Sequence, residues 1–239
     1  KSVSDTLRLS SFLNSPARKL TADQKQLISL GRGLVREDVA GVLMDEPLTV
    51  IDPDLKFRLR RNLKEINEQY KTTLVYVTHD QNEAMTFADN IIVMDQGEIV
   101  QVGLPKDLFE KPRTTFVGYF IGSPAMNLFK SEILSDNSIK FNNGTIKTKT
   151  DLSKIKDKNV KLGIRSEFIK IATDQKENIV SVKVTRVEDF GNFKLITGKA
   201  GDLEIKSKVE REIPISTEEL KLHLPAEKCC IYSNEMLVN

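Results

Sequence analysis

A chain of 239 residues that is 39% hydrophobic is long enough to build two packed cores, which excludes a disordered polypeptide. Its 36 basic and 34 acidic side chains leave a net charge of only +2, so no bulk field draws it to nucleic acid or anionic lipid. The longest apolar runs, such as Gly41 to Met44 and Ile91 to Met94, fall far short of the ~20 residues that span a bilayer and restrict any membrane role to a peripheral one.

The chain opens on Lys1 without a basic-then-apolar signal segment, which is the opening expected of a fragment. Residues 5–13, DTLRLSSFL, carry apolar side chains at helical spacing until Asn14, Ser15 and Pro16 break the pattern, and predict a short helix. Thr21 with Gln24 three residues later is a capping-box pair ahead of Leu27, Leu30 and Leu34, so a second helix is expected to about Arg36. Gly31 and Gly33 cost that helix about 1 kcal/mol each relative to alanine, and permit close backbone packing.

Gly41-Val42-Leu43-Met44-Asp45 is too short for a helix and has the pattern of a buried strand ending in a carboxylate. Asp52 then caps a helix with Pro53 at its first position and one apolar stripe, Leu55, Leu59, Leu63 and Ile66. Thr73 to Val77 repeats the buried-strand pattern. Strand, helix and strand at this spacing make a βαβ unit, hence a parallel sheet with ligands at the carboxyl ends of its strands. Asp45, Glu46, Thr78 and His79 all fall at those ends.

A short helix is expected over Glu83 to Ala88. A hairpin follows, in which Ile91 to Met94 turns through Asp95-Gln96-Gly97 into Glu98 to Val102. Pro105 starts another helix, and Gly122-Ser123-Pro124 marks a boundary. From about Phe129 short β-favouring segments predominate: Thr145 to Lys149 after the turn Asn142-Asn143-Gly144, Val160 to Ile164, Ile179 to Val187, Phe193 to Thr197 and Cys229 to Tyr232. Such a series predicts a small barrel or sandwich. The only cysteines, Cys229 and Cys230, are adjacent, which is poor disulfide geometry, and they are read as small buried residues.

Taken singly, the acid pair also reads as a solvated surface pair and the histidine as a cap or a satisfied core residue, but together the two strand ends define a nucleotide-polyphosphate site far better than either does alone. In Met44-Asp45-Glu46-Pro47 the first acid is placed to hold Mg²⁺, and the second to orient or deprotonate an attacking water. In Tyr76-Val77-Thr78-His79-Asp80 the histidine is placed to bond a γ-phosphate or that water. The series Leu20-Thr21-Ala22-Asp23-Gln24, Val42-Leu43-Met44-Asp45-Glu46-Pro47, Ile51-Asp52, Val77-Thr78-His79-Asp80, Asp95-Gln96-Gly97-Glu98-Ile99 and Gly122-Ser123-Pro124-Ala125-Met126-Asn127 resembles the carbohydrate-import branch of the ABC transporter ATPases. Lys161-Leu162-Gly163-Ile164-Arg165-Ser166-Glu167 also resembles a stretch of that family's C-terminal β domain.

The resemblance implies an α/β fold: a partial ABC-type ATPase domain over residues 1–127, followed by a small all-β, OB-like barrel over 128–239. Within the first, 1–36 would be part of a helical subdomain and 37–127 part of the catalytic core. It implies ATP and Mg²⁺ as cofactors, Asp45 as metal ligand, and Glu46 and His79 as catalytic glutamate and switch histidine. Thr21, Ala22, Asp23 and Gln24 would form the signature that meets the nucleotide of an opposite subunit, and Asp52 the loop that communicates between subunits. The implied partners are a second, non-identical ATPase subunit, transmembrane permease subunits and, indirectly, an extracytoplasmic solute-binding protein. The implied location is the cytoplasmic face of a membrane.

Two departures bear on these expectations. No G-x-x-x-x-G-K-[ST] occurs, so the chain alone is expected not to hydrolyse ATP. The signature carries Thr21-Ala22-Asp23 where the family has Ser-Gly-Gly, and a carboxylate there adds like charge at a phosphate-facing helix end, although an acid in a first turn also stabilises its own helix. This variant, with the Thr49-Val50-Ile51-Asp52 loop, is similar to the glycerol-uptake members of the branch. Two other readings stay open: a soluble ABC-type ATPase acting on nucleic acid, for which a basic stripe or stacking aromatics are lacking, and a non-catalytic regulatory or scaffolding fragment.

Overall fold

The computed structural model describes residues 3–36, 39–49, 51–142, 144–157, 159–215 and 218–238, with the backbone alone at residues 53, 54, 69 and 70. Val50 and Asn143, which the sequence reading placed in a loop and a turn, lie outside the described residues. The chain divides into two compact units, Lys1–Asp89 and Asn90–Asn239.

The first unit opens with α1 (Val3–Thr6), a 3-10 turn (Ala17–Lys19) and α2 (Ala22–Leu34). The helix expected over 5–13 therefore stops at Thr6. Arg8 adopts φ 55°, and the turn it makes lets Leu7 and Leu9 become buried. They land on Gly31 of α2, where a Cβ would stand 2.9 Å from Leu9 Cδ1 and 3.3 Å from Leu7 Cδ1. Burying two leucines outweighs continuing a short exposed helix, which has little stability of its own. At the start of α2 the capping box forms as expected: Thr21 Oγ1 accepts from Gln24 N, and Gln24 Oε1 accepts from Thr21 N.

β1 (Gly41–Asp45), α3 (Pro53–Tyr70) and β2 (Thr73–Val77) form the βαβ unit, with β1 and β2 parallel and Asp45 opposite Val77. Leu59, Leu63 and Ile66 of α3 join Leu27, Leu30 and Leu34 of α2 around Met44, Val42, Leu74 and Tyr76. The strands were expected to be buried, and on this point the structure differs. Only the face toward the helices is covered, while Leu43, Val75 and Val77 on the other are 80%, 46% and 52% exposed. An unbroken apolar run is the pattern of a parallel strand covered on both faces, and these helices supply one layer. α4 (Gln81–Phe87) follows, two residues earlier than its expected start, because Asp80 caps it by accepting from Asn82 N and Glu83 N.

The second unit begins with the hairpin β3 (Ile91–Asp95) and β4 (Glu98–Gly103). Asp95 lies opposite Glu98, and Gln96 and Gly97 have φ 48° and 84°, the two-residue turn that matches strand twist. α5 (Pro105–Glu110) and α6 (Thr115–Phe120) lead into a long antiparallel region. Its strands are β5 (Asn127–Ser135), β6 (Ser138–Phe141), β7 (Gly144–Lys147), β8 (Asn159–Ile164), β9 (Lys170–Ile171), β10 (Ile179–Asp189), β11 (Phe193–Ala200), β12 (Leu203–Glu210), β13 (Glu219–His223), β14 (Cys230–Ser233) and β15 (Met236–Leu237). They form two sheets, ordered β12-β11-β10-β13-β9 and β15-β14-β8-β5-β6-β7. Between them lies one apolar core that includes Phe129, Ile139, Leu162, Ile164, Ile196 and Ile231. Asn127 joins the sheets, donating to Ile164 O and Lys206 O and accepting from Lys206 N. The two cysteines are free and buried, and burial pushes the Cys229 thiol up to about 12.

The break in composition near residue 127 and the break in packing after Asp89 are different boundaries. Within the second unit, residues before 127 are built onto the β-sheets by Arg165, which is fully buried. Its Nε donates to Phe109 O at 3.0 Å, its Nη1 to Gly118 O at 2.8 Å and to Ile121 O, and its guanidinium lies over the Phe109 ring. Tyr232 Oη donates to Pro112 O, and Thr115 N to Glu235 O.

Candidate active site

The first unit brings Glu46 and His79 together where β1 and β2 end. Glu46 N donates to Val77 O, which carries the ladder one residue past Asp45 and fixes Glu46 over the sheet edge. Its carbonyl accepts from Gln26 Nε2 of α2 at 3.2 Å and from Thr49 Oγ1 at 3.1 Å. Glu46 takes φ 44°, a left-handed conformation that a glutamate adopts only when its surroundings impose it.

The carboxylate reaches across to the second strand end. Glu46 Oε1 lies 2.6 Å from His79 Nδ1, and Oε2 accepts from Thr49 Oγ1 at 3.0 Å. The hydrogen bond to His79, then that to Thr49, holds the Glu46 carboxyl below its usual range. The same contact raises His79 above the ordinary imidazole value, so the pair favours a carboxylate beside an imidazolium. Both side chains are open to solvent, the histidine more than the glutamate. Each is reachable by a ligand.

Behind the pair is a buried polar cluster that sequence reasoning missed. Glu83, only 4% exposed, accepts from Tyr76 Oη at 2.8 Å and Thr78 Oγ1 at 3.0 Å, and lies 3.4 Å from Lys56 Nζ and 3.7 Å from Arg60 Nη1. Burial, then the bond to Glu83, pushes the Tyr76 phenol well above its usual value. In the sequence Glu83 reads only as an acid in a helix's first turn, and Gln26 and Thr49 as ordinary polar positions. Nothing short of the folded chain shows that they converge.

The remaining predicted site residues belong to the same unit. Asp45 is exposed at the end of β1. Asp52, also exposed, accepts from Leu55 N at the start of α3. The side-chain bonds of Thr21, Asp23 and Gln24 stay within the end of α2, where the Thr21 hydroxyl donates to the Asp23 carboxylate and thereby lowers its pKa. Ala22 begins that helix. Among the described residues no group of three or more His, Cys, Asp or Glu side chains could enclose a metal ion.

Comparison with known proteins places the chain in a family. The MalK OB fold domain matches residues 122–169. The sn-glycerol-3-phosphate import ATP-binding protein UgpC of Pectobacterium atrosepticum is 36% identical over 233 residues, which are 96% of this chain and 64% of that protein. The oligosaccharides import ATP-binding protein MsmX of Bacillus subtilis is 34% identical over 240 residues, 96% of this chain and 65% of its own length. A solved ATP-binding cassette of an ABC transporter, in its ADP conformation, overlaps 46% of this chain and 44% of its own at 24% identity and a TM-score of 0.40, too partial a match to argue from. The chain thus spans slightly less than two thirds of the length of the curated relatives named here. Its α/β βαβ unit, its all-β OB-like unit and an alignment running along nearly all of its residues agree, and the chain belongs to the family of ABC-transporter ATP-binding subunits homologous to these glycerol-3-phosphate and oligosaccharide import proteins.

Proposed function

We propose that this chain supplies the hydrolysis-side residues and the regulatory β domain of an ATP-binding subunit that energises import of a sugar or polyol such as glycerol. The observation that carries the reading is the Glu46–His79 contact at the ends of two parallel strands, in a chain related to import ATPases along 96% of its length. The donor set fits the cofactors of that chemistry. A single exposed carboxylate, Asp45, suits Mg²⁺, which takes one or two protein carboxylates and completes its octahedron with phosphates and waters. Bound there, Mg²⁺ would supply neutralisation of charge on the phosphates.

The chain's own residues do the rest. Glu46 has both oxygens bonded, Oε1 by His79 and Oε2 by Thr49, and its lowered pKa makes it a weak base in this state. It serves first to orient a water through its remaining lone pairs. A phosphate oxygen that draws His79 away would return Oε1 to the water and make Glu46 the stronger base. In a polypeptide that carries this chain together with a phosphate loop, Glu46→Gln is expected to spare nucleotide binding and lower turnover by about 10²- to 10⁴-fold. Unchanged turnover would remove Glu46 from the role. The 239-residue chain itself should show no micromolar ATP binding by calorimetry, because it lacks the lysine of a phosphate loop.

The partners proposed are permease subunits and a second, non-identical ATPase subunit, with the chain peripheral at the cytoplasmic face. No described helix is long and apolar enough to cross a membrane. The asymmetry rests on Asp23, whose carboxylate occupies the helix end that a signature would present to phosphate. Ala22→Gly with Asp23→Gly should raise ATPase rate at the composite site formed with the partner's phosphate loop. No gain in a fully active homodimer would show Asp23 to be a capping variation alone.

A further inference from the structure

We infer that Glu83 is the positioning residue of this site: acting through the Thr78 hydroxyl, it holds the segment that carries His79 against Glu46, and it ties that segment to α3 through Lys56 and Arg60. The inference rests on the reading of Glu46 and His79 as the working pair.

The His79 side chain is itself exposed, so the segment that carries it is held through its two neighbours. Thr78 Oγ1 donates to Glu83 Oε2 at 3.0 Å and accepts from Asp80 N at 3.0 Å, so one hydroxyl bridges the residues on either side of His79. Asp80 in turn caps α4 and accepts from Glu83 N. Glu83 therefore meets the segment twice, by its carboxylate at Thr78 and by its amide at Asp80. The carboxylate is anchored from below by Tyr76 Oη, and Tyr76 packs on Phe87 with ring centroids 5.1 Å apart. From the side it faces Lys56 and Arg60, one and two turns into α3. A buried carboxylate is costly to leave unpaired, and here four partners from β2, the following segment and α3 all converge on it. A carboxylate that only stabilised the helix dipole would sit exposed in the first turn.

The experiment uses the 239-residue chain without nucleotide, whose two histidines, His79 and His223, give separately assignable imidazole ring signals. The readout is the change in His79 ring chemical shifts caused by Glu46→Gln, at one fixed pH, in different backgrounds. Glu83→Ala and Thr78→Ala are each expected to reduce that change by about half or more, as a double-mutant cycle reads coupling, with His223 unmoved. Thr78→Ser, which keeps the hydroxyl, should restore it. An undiminished His79 response in a folded Glu83→Ala chain overturns the inference. If Glu83→Ala does not fold, the Thr78→Ala and Thr78→Ser pair decides by the same criterion. Turnover of the longer polypeptide is not part of this readout, so failure of the hydrolytic reading and failure of the positioning role are separately visible.

Discussion

The 2.6 Å contact between Glu46 Oε1 and His79 Nδ1 links the folded state to pH from two directions. Glu46 is held below its ordinary value of 4.5, so its contribution is present above 4.5 and is lost as pH falls through its folded-state pKa. His79 is held above its ordinary 6.5, so its contribution is present below 6.5 and is lost as pH rises through its folded-state pKa. The stability difference between wild type and Glu46→Gln is therefore expected to be largest between pH 4.5 and 6.5 and to fade on either side. Denaturation midpoints of the metal-free chain across that range check it, and a flat difference would contradict the pairing. Both groups are open to solvent, so the effect should also shrink with added salt.

At the scale of elements, α2 offers a paired test of why its glycines are there. Gly31 lies beneath Leu7 and Leu9, both buried, and a methyl group would stand 2.9 Å from one of them. Gly33 faces only Val42 Cγ1 at 3.7 Å, an ordinary contact. Gly33→Ala should stabilise the chain by about 0.5 kcal/mol through helix propensity alone, since it lies in the last turn. Gly31→Ala gains the same propensity but must displace packed leucines, and is expected to come out destabilising by about 1 kcal/mol. Chemical denaturation of the two variants checks the difference, and equal effects would mean that Leu7 and Leu9 yield freely.

For the second unit as a whole, Arg165 decides what folds as one piece. Its cation is buried with no carboxylate in ion-pair contact among the described residues, and desolvation lowers its pKa, yet three main-chain carbonyls from α5, α6 and the end of α6 converge on it. Its Nη2 is buried with no partner among the described residues. A fragment spanning residues 90–239 should therefore show one cooperative thermal transition. The same experiment on 128–239, the domain delimited by composition, removes Phe109, Gly118 and Ile121 and strands the guanidinium, and its midpoint should fall. Arg165→Ala in the full chain should cost about 3 kcal/mol, from lost bonds and the cavity left behind. Equal midpoints for the two fragments would show that α5 and α6 add nothing to the β-sheets.

The sequence by itself determined the parts that rest on local physics. The Thr21–Gln24 capping box, the stripe of α3, the turn at Gln96-Gly97 and the start of α5 at Pro105 follow from side chains within a few residues of one another. The order of strand, helix and strand then put Glu46 and His79 at adjacent strand ends, because parallel strands joined by a helix align their carboxyl ends. What needed the tertiary structure was whatever depends on chain segments far apart. The turn at Arg8 came from burial of Leu7 and Leu9 on Gly31, which overrode their helical spacing. Strands such as β12 and β13 owe their place to partners across a sheet, whose pairing no local pattern records. Gln26 and Thr49 around Glu46, and Tyr76 and Glu83 behind His79, look like unremarkable polar residues in one dimension, and the strand-end position of Thr78 does not reveal that its hydroxyl donates to Glu83. These residues become a support for the site only because folding brings them within hydrogen-bond reach: Tyr76 and Thr78 donate to the buried Glu83 carboxylate, while Gln26 and the exposed Thr49 donate to Glu46.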